Sequence, residues 1–558
     1  MEIIHLLYAF GVTGFALTLF FLLLFILLAA LRKKYLPDKK KAAAWKAFCF
    51  LPLLIALLHC ILFAAGPMFL HILPFYLPIY IPALLIALYP LLSVKKPLRL
   101  ACTPLVFTAC LVCSFLSLYS DRISDYSDQS LSKAYLSLCD LFERSYILSD
   151  WKKTDYNRLR EEGLALIRNS EQSGDLTDYY RALDLFVESF HDGHMDLTIY
   201  DKPEYFMDKY KSFHDYGLSL LTLDDGTTIA VNVDEGLPIK EGDIITRWNG
   251  VPVDEAAAAV APPFTTPLTE NEKILKMFFL AGTGEESVTV TYLNPDGEEL
   301  SIELERSERP LSRASQSLNL FTHSYYEEDF AEYKMLNADT AYLAVEIEEI
   351  DPLSDALGYV TGDHKAAREK YRSILRGLRN EGMRKLVIDA RNNSGGYDEV
   401  ATALASLFTR EKIYAFSLGC MDGHSPKNLT DHYVLPDGEF SDIKVLVLTN
   451  MGCSSAGDGL VLYLSRIDGI TVAGLSDPEG INQETGGRAY LPGGVEICYP
   501  VGLILDADGN PNIDCDDTRM SRNSVDIKIP LDREAALKIF RREDYELEWA
   551  VETLKKSG

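Results

Sequence analysis

The chain has 558 residues, with 54 Lys+Arg against 81 Asp+Glu and a formal net charge of −27. Ten of the basic but only two of the acidic side chains fall in residues 1–120, which leaves 44 basic and 79 acidic residues in the remainder. So acidic a surface excludes nucleic-acid binding through phosphates and keeps exposed chain in solution.

Residues 1–120 hold four apolar runs, at 4–31, 47–65, 68–92 and 100–118, each near the roughly 20 residues of a membrane-spanning helix. Prolines Pro74, Pro78, Pro82 and Pro90 make the third irregular. Basic clusters at Arg32–Lys46 and at Lys95, Lys96 and Arg99 predict cytoplasmic loops after the first and third runs. The expectation is an all-α, four-span transmembrane region, integral in the cell membrane, with everything after Leu118 extracytoplasmic. Cys139, Cys420, Cys453, Cys498 and Cys515 follow. Five is odd and no C-x-x-C occurs among them, so neither a metal site nor a cofactor is expected; a Cys498–Cys515 disulfide is compatible with an oxidising compartment.

From 121 to 205 apolar residues recur three and four apart, as in Leu183, Phe186, Val187 and Phe190, and predict helices. The last stops at His191-Asp192-Gly193-His194, where Asp-Gly is a turn signal. Residues 213–305 read as a β-rich module. Two strands flank Asp225-Gly226, a third precedes Asn249-Gly250, an Ala-rich helix follows, and a hairpin turns at Asp296-Gly297. From 320 to 545 strands and helices alternate, which predicts a mostly parallel sheet with sites at the carboxyl ends of its strands. Two loops arrive there, Arg391–Gly396 (RNNSGG) and Met451–Asp458 (MGCSSAGD).

The second loop joins the apolar strand of Lys444–Leu448 to an apolar helix. A serine at such a turn fits two readings: a helix N-cap, or a nucleophile whose hydroxyl lies near the positive helix end. Ser454 and Ser455 both fit. Cys453 is a third nucleophile candidate, but a thiol needs electropositive surroundings and Asp458 is close in sequence. RNNSGG fits a plain glycine turn as well as an anion-binding loop.

Taken in order, FHDGH, GLPIKEGDIITRWNGVPV, LVIDARNNSGG, TNMGCSSAGD and GNPNIDCDD resemble the tail-specific, or C-terminal-processing, serine peptidase family, in particular its tricorn-like branch. The resemblance spans roughly 180–530. It implies an α/β fold with a ClpP/crotonase-like, mostly parallel sheet core, an N-terminal helical segment and an inserted PDZ-like module. Its S-A-x-E element matches Ser455-Ala456-Gly457-Asp458, implying Ser455 as nucleophile, with Ser454 the alternative one residue away. The branch with a lysine base is disfavoured, because GLSDPEGINQE has Glu479 and Gly480 at the lysine's place and no lysine lies between Ser455 and Asp526. The tricorn-like branch implies His194 as base and Asp514 as its orienting acid, where the family more often has Glu; Asp516 and Asp517 are local substitutes. It also implies the backbone N–H groups of Gly396 and Ala456 as the oxyanion hole. The expected activity is that of a membrane-anchored serine endopeptidase acting on polypeptides. A non-catalytic peptide-binding sensor on the same fold is the alternative, and an esterase is weaker because G-x-S-x-G is absent around Ser455.

Overall fold

The computed structural model describes residues 123–556 except 203, 206–214, 263–268, 283–284, 308–311, 325–331, 352–353, 355–363, 423–424 and 514–522. The expected multi-pass membrane placement is corrected. Among the described residues no helix is long and apolar enough to cross a membrane. The four runs expected as spans lie outside the described residues.

Strands Thr340–Ala344, Lys385–Asp389, Lys444–Leu448, Ile470–Gly474 and Ile527–Lys528 lie side by side, all parallel, with Tyr333–Met335 antiparallel at one edge. The predicted parallel sheet is therefore present. Its strands are apolar at nearly every position because both faces are covered, and successive side chains go to opposite sides. Leu386, Ile388, Val445 and Val447 pack with Leu375, Ala401, Leu404, Leu460 and Leu464 of helices Lys365–Asn380, Asp398–Ser406 and Ala456–Ser465. Val387, Leu446 and Leu448 face the other way, against Ile539, Phe540, Ala550 and Leu554 of helices Arg533–Phe540 and Tyr545–Lys556.

A second sheet, absent from the sequence reading, has the order Ile123–Asp125, Glu484–Leu491, Val495–Leu505, Ile413–Asp422, Ser425–Val434, with Asp196–Ile199 also paired to Val495–Leu505. Through that pairing, Val495 opposite Ile199 and Cys498 opposite Asp196, the N-terminal helices are fastened to the C-terminal half. Those helices, Leu131–Ser145, Tyr156–Ser173 and Thr177–Glu188, form as predicted. They bury Phe142, Phe186 and Phe190 against Tyr499 and its neighbours.

The β-rich unit also forms, as an antiparallel sheet of Ser219–Thr222, Thr228–Val231, Ile244–Trp248, Ser287–Leu293 and Glu299–Glu305. Its turns fall at Asp225-Gly226, Asn249-Gly250 and Asp296-Gly297, where the glycines have φ of 83°, 78° and 79°. A helix the sequence reading missed, Thr269–Leu280, packs beside it. Cys139, Cys453 and Cys498 are free thiols; Cys515, the expected partner of Cys498, lies outside the described residues.

Candidate active site

Strand Lys444–Leu448 ends in a turn that delivers Ser455 to the first residue position before helix Ala456–Ser465. Ser455 has φ 57° and ψ −129°, and its hydroxyl makes no capping hydrogen bond. A left-handed φ on a non-glycine residue is uncommon and costs on the order of 1–3 kcal/mol, a strain that collects at functional sites. An N-cap serine would be extended and would bind the helix's own N–H groups. The cap reading therefore fails at Ser455.

The RNNSGG loop is fastened to this turn. Asn392 N–H donates to Asn450 Oδ1 at 3.0 Å, and Ser454 N–H donates to the Asn393 carbonyl at 2.9 Å. Asn393 is fully buried, with its amide donating to the Val345 carbonyl and to Glu348 Oε1 at 2.7 Å each, while its Oδ1 accepts Gly395 N–H at 2.8 Å. Gly395 is consumed by that bond. The next N–H, of Gly396, and the N–H of Ala456 enter no hydrogen bond among the described residues. These two N–H groups are the pair expected to hold an oxyanion. Gly396 and Ser455 line one cavity of about 370 Å³.

Ser455 N–H donates to the Ile481 carbonyl at 2.9 Å, so the segment 479–481 fixes the serine from the other side. Asp458, one turn into the helix and wholly buried, holds that segment. Its Oδ2 accepts Gly480 N–H at 2.7 Å and Ile481 N–H at 3.2 Å, and its Oδ1 accepts the Asn523 amide at 2.7 Å. Burial pushes the Asp458 carboxyl up to about 8 against these three donors.

The HDGH turn reaches the same segment from the N-terminal side, at Gly193. A Cβ on Gly193 would lie 2.6 Å from both Glu479 Oε1 and Ile481 Cδ1, so a larger residue there would have to push these two side-chain ends aside. The HDGH turn is set by Asp192, whose Oδ1 accepts His194 N–H at 2.9 Å and whose Oδ2 accepts the Tyr146 hydroxyl at 2.6 Å. Burial lowers the His194 pKa below its ordinary value, with the Asp192 carboxylate opposing. Nδ1 of His194 is buried without a hydrogen-bond partner among the described residues. Asp514, with Asp516 and Asp517, lies outside them.

The competing nucleophiles have other surroundings. Ser454 lies beside Glu479, whose carboxyl is raised to about 7 by burial and by Asp192. Cys453 is fully buried, and burial with the Asp458 carboxylate beside it holds the thiol well above its ordinary pKa, far from the thiolate range. Sequence reasoning missed Glu479 and Asn393 as parts of the site: it registered the first only as the place of an absent lysine and the second only as part of a glycine-rich loop.

The chain is a serine-type peptidase. Residues 356–515 match the sequence profile described as Peptidase family S41. No curated protein sequence matches the chain. Among solved structures, it is similar to mature CPAF complexed with lactacystin, at 13% identity and TM-score 0.49 over 76% of this chain and 97% of that one. It is also similar to a putative peptidase from Parabacteroides merdae ATCC 43184, at 13% identity and TM-score 0.42 over 76% and 97%. With the tricorn protease it shares 12% identity at TM-score 0.34, over 77% of this chain and 37% of the other.

Proposed function

We propose that this peptidase cleaves polypeptides with Ser455 as nucleophile, His194 as general base, and the N–H groups of Gly396 and Ala456 as oxyanion donors. Asp514 is assigned the orienting role on the far imidazole nitrogen. The observation that carries the reading is the left-handed, uncapped Ser455 at a strand-to-helix turn beside two N–H groups unused among the described residues. A serine hydroxyl is a weak nucleophile at neutral pH and needs a neutral imidazole beside it; burial of His194 favours that neutral form. The negative charge that develops on the attacked carbonyl then meets preoriented N–H donors, each worth about 3 kcal/mol of barrier. The sheet from Ser219 to Glu305 is read as a PDZ-like module that adds an extended peptide to its edge.

The test is labelling of the full chain with a fluorophosphonate probe. Wild type and Ser454→Ala are expected to label and Ser455→Ala is not. Loss of labelling in Ser454→Ala with retention in Ser455→Ala would move the nucleophile by one residue. A folded wild type that never labels refutes the serine mechanism.

A further inference from the structure

The cavity that opens on Ser455 has an apolar wall and an acidic floor. Phe416, Leu418 and Ile504, from strands Ile413–Asp422 and Val495–Leu505, form the wall. Asp398, at the first turn of helix Asp398–Ser406, forms the floor. Its depth is fixed by the helix that follows the serine. Gly459 stands four residues after Ser455, one helical turn or about 5.4 Å along, and a Cβ there would lie 2.5 Å from Asp398 Oδ1. The absence of a side chain at Gly459 thus lets the carboxyl pack against the helix one turn after the serine. The same Oδ1 accepts the Tyr463 hydroxyl at 2.7 Å and the Asn482 amide at 3.3 Å, so the group is held in place.

No ion pair to Asp398 forms among the described residues. Glu399, with His432 Nδ1 3.7 Å away, and Glu484 also line the cavity, and the sole basic residue among its described lining, Arg488, is bound to Glu496. Burial raises the Asp398 carboxyl to about 7. A buried carboxylate without a counter-ion is stabilised most by a cation that arrives with the ligand. Lysine and arginine have that cation on an apolar stem able to lie along an apolar wall, and a lysine stem is about as long as one helical turn.

We propose that this cavity receives the substrate side chain on the acyl side of the scissile bond, and that Asp398 selects lysine or arginine there. The inference rests on Ser455 being the nucleophile. It makes the enzyme one that cuts after basic residues, with Asp398 as a binding group and not a catalytic one.

Two peptides differing only in lysine or its uncharged near-isostere norleucine at that position test it, with kcat/KM measured on the full chain by mass spectrometry of the products. Wild type is expected to favour lysine at least tenfold, and Asp398→Asn to lower the lysine-to-norleucine ratio at least tenfold. Should Asp398→Asn fail to fold, Gly459→Ala, which places a methyl against the carboxyl, should lower the same ratio. Equal or faster cleavage after norleucine by wild type overturns the proposal, as does a folded Asp398→Asn with an unchanged ratio. Cleavage of neither peptide overturns it too; fluorophosphonate labelling of Ser455 would then retain the nucleophile, and absence of labelling would remove both.

Discussion

Replacing Gly395 by alanine should disable the site from a residue that contributes no side chain to it. Gly395 has φ +90°, and a methyl there would lie 2.4 Å from Ser455 Cβ, 2.9 Å from its Oγ and 2.9 Å from the Ala456 nitrogen. Carbon atoms in good contact stay about 3.5–4.0 Å apart, so the serine and the Ala456 N–H must retreat by about 1 Å. The left-handed backbone costs the alanine about 1–2 kcal/mol, and the overlap about 1–3 kcal/mol more. A displacement of about 1 Å at the reacting atoms lowers rate by roughly 100-fold. Gly297→Ala is the control. It has φ +79° with nothing within 4 Å of the added Cβ, and therefore carries the backbone strain alone. The assay is the rate of fluorophosphonate labelling beside the chemical-denaturation midpoint. Both variants should lose stability, and Gly395→Ala alone should label about 100-fold slower. Labelling of Gly395→Ala within about threefold of wild type would refute the packing of the glycine loop against the serine.

Asp458→Asn should cost about 1–3 kcal/mol in chemical denaturation, because all three partners of the carboxyl donate and the new amide puts a donor against one of them. Glu348 is buried with Oε2 unpartnered among the described residues, and burial raises its carboxyl to about 8. The folded state therefore binds more protons than the unfolded one between about pH 4.3 and 8, and stability falls as pH rises through that window. Midpoints measured from pH 5 to 8 should show the decline, and Glu348→Gln should flatten it by at least about 1 kcal/mol at pH 8. The base must be neutral to act, and burial lowers His194, so the acid limb of kcat/KM should fall at a pH below the ordinary histidine value of about 6.5. An acid limb above that value would exclude His194 as base.

Local pattern made the parallel sheet legible. The strand Lys444–Leu448 and the helix after it are each apolar throughout because each is buried, and the small residues between them mark the turn. The order of RNNSGG and MGCSSAGD along the chain placed both loops at the same sheet edge, and hydrogen bonds from Asn392 and Ser454 join them there. Two pairings of the second sheet join residues some 300 or more positions apart, Ile199 with Val495 and Ile123 with Arg488, and no local periodicity encodes such a partner; its two hairpins are local and went unread. Register shifts between Glu484 and Gly487 further blur the alternation along that strand. Glu479 and Asp398 escaped for a related reason: their environments come from the HDGH turn, from Tyr463 and from Asn482, elements that only the tertiary fold brings beside them.

The pairing of Asp196–Ile199 with Val495–Leu505 also sets a timetable. On a ribosome adding about 5–20 residues per second, the histidine turn is made well before the strand that anchors it, and contacts so distant in sequence form slowly. The neighbourhood of Ser455 and His194 therefore assembles only after residue 505 has emerged. A chain still being made, or one truncated before that strand, has its proposed nucleophile and base unjoined, and the order of synthesis itself delays the appearance of a protease until the fold that confines it is complete.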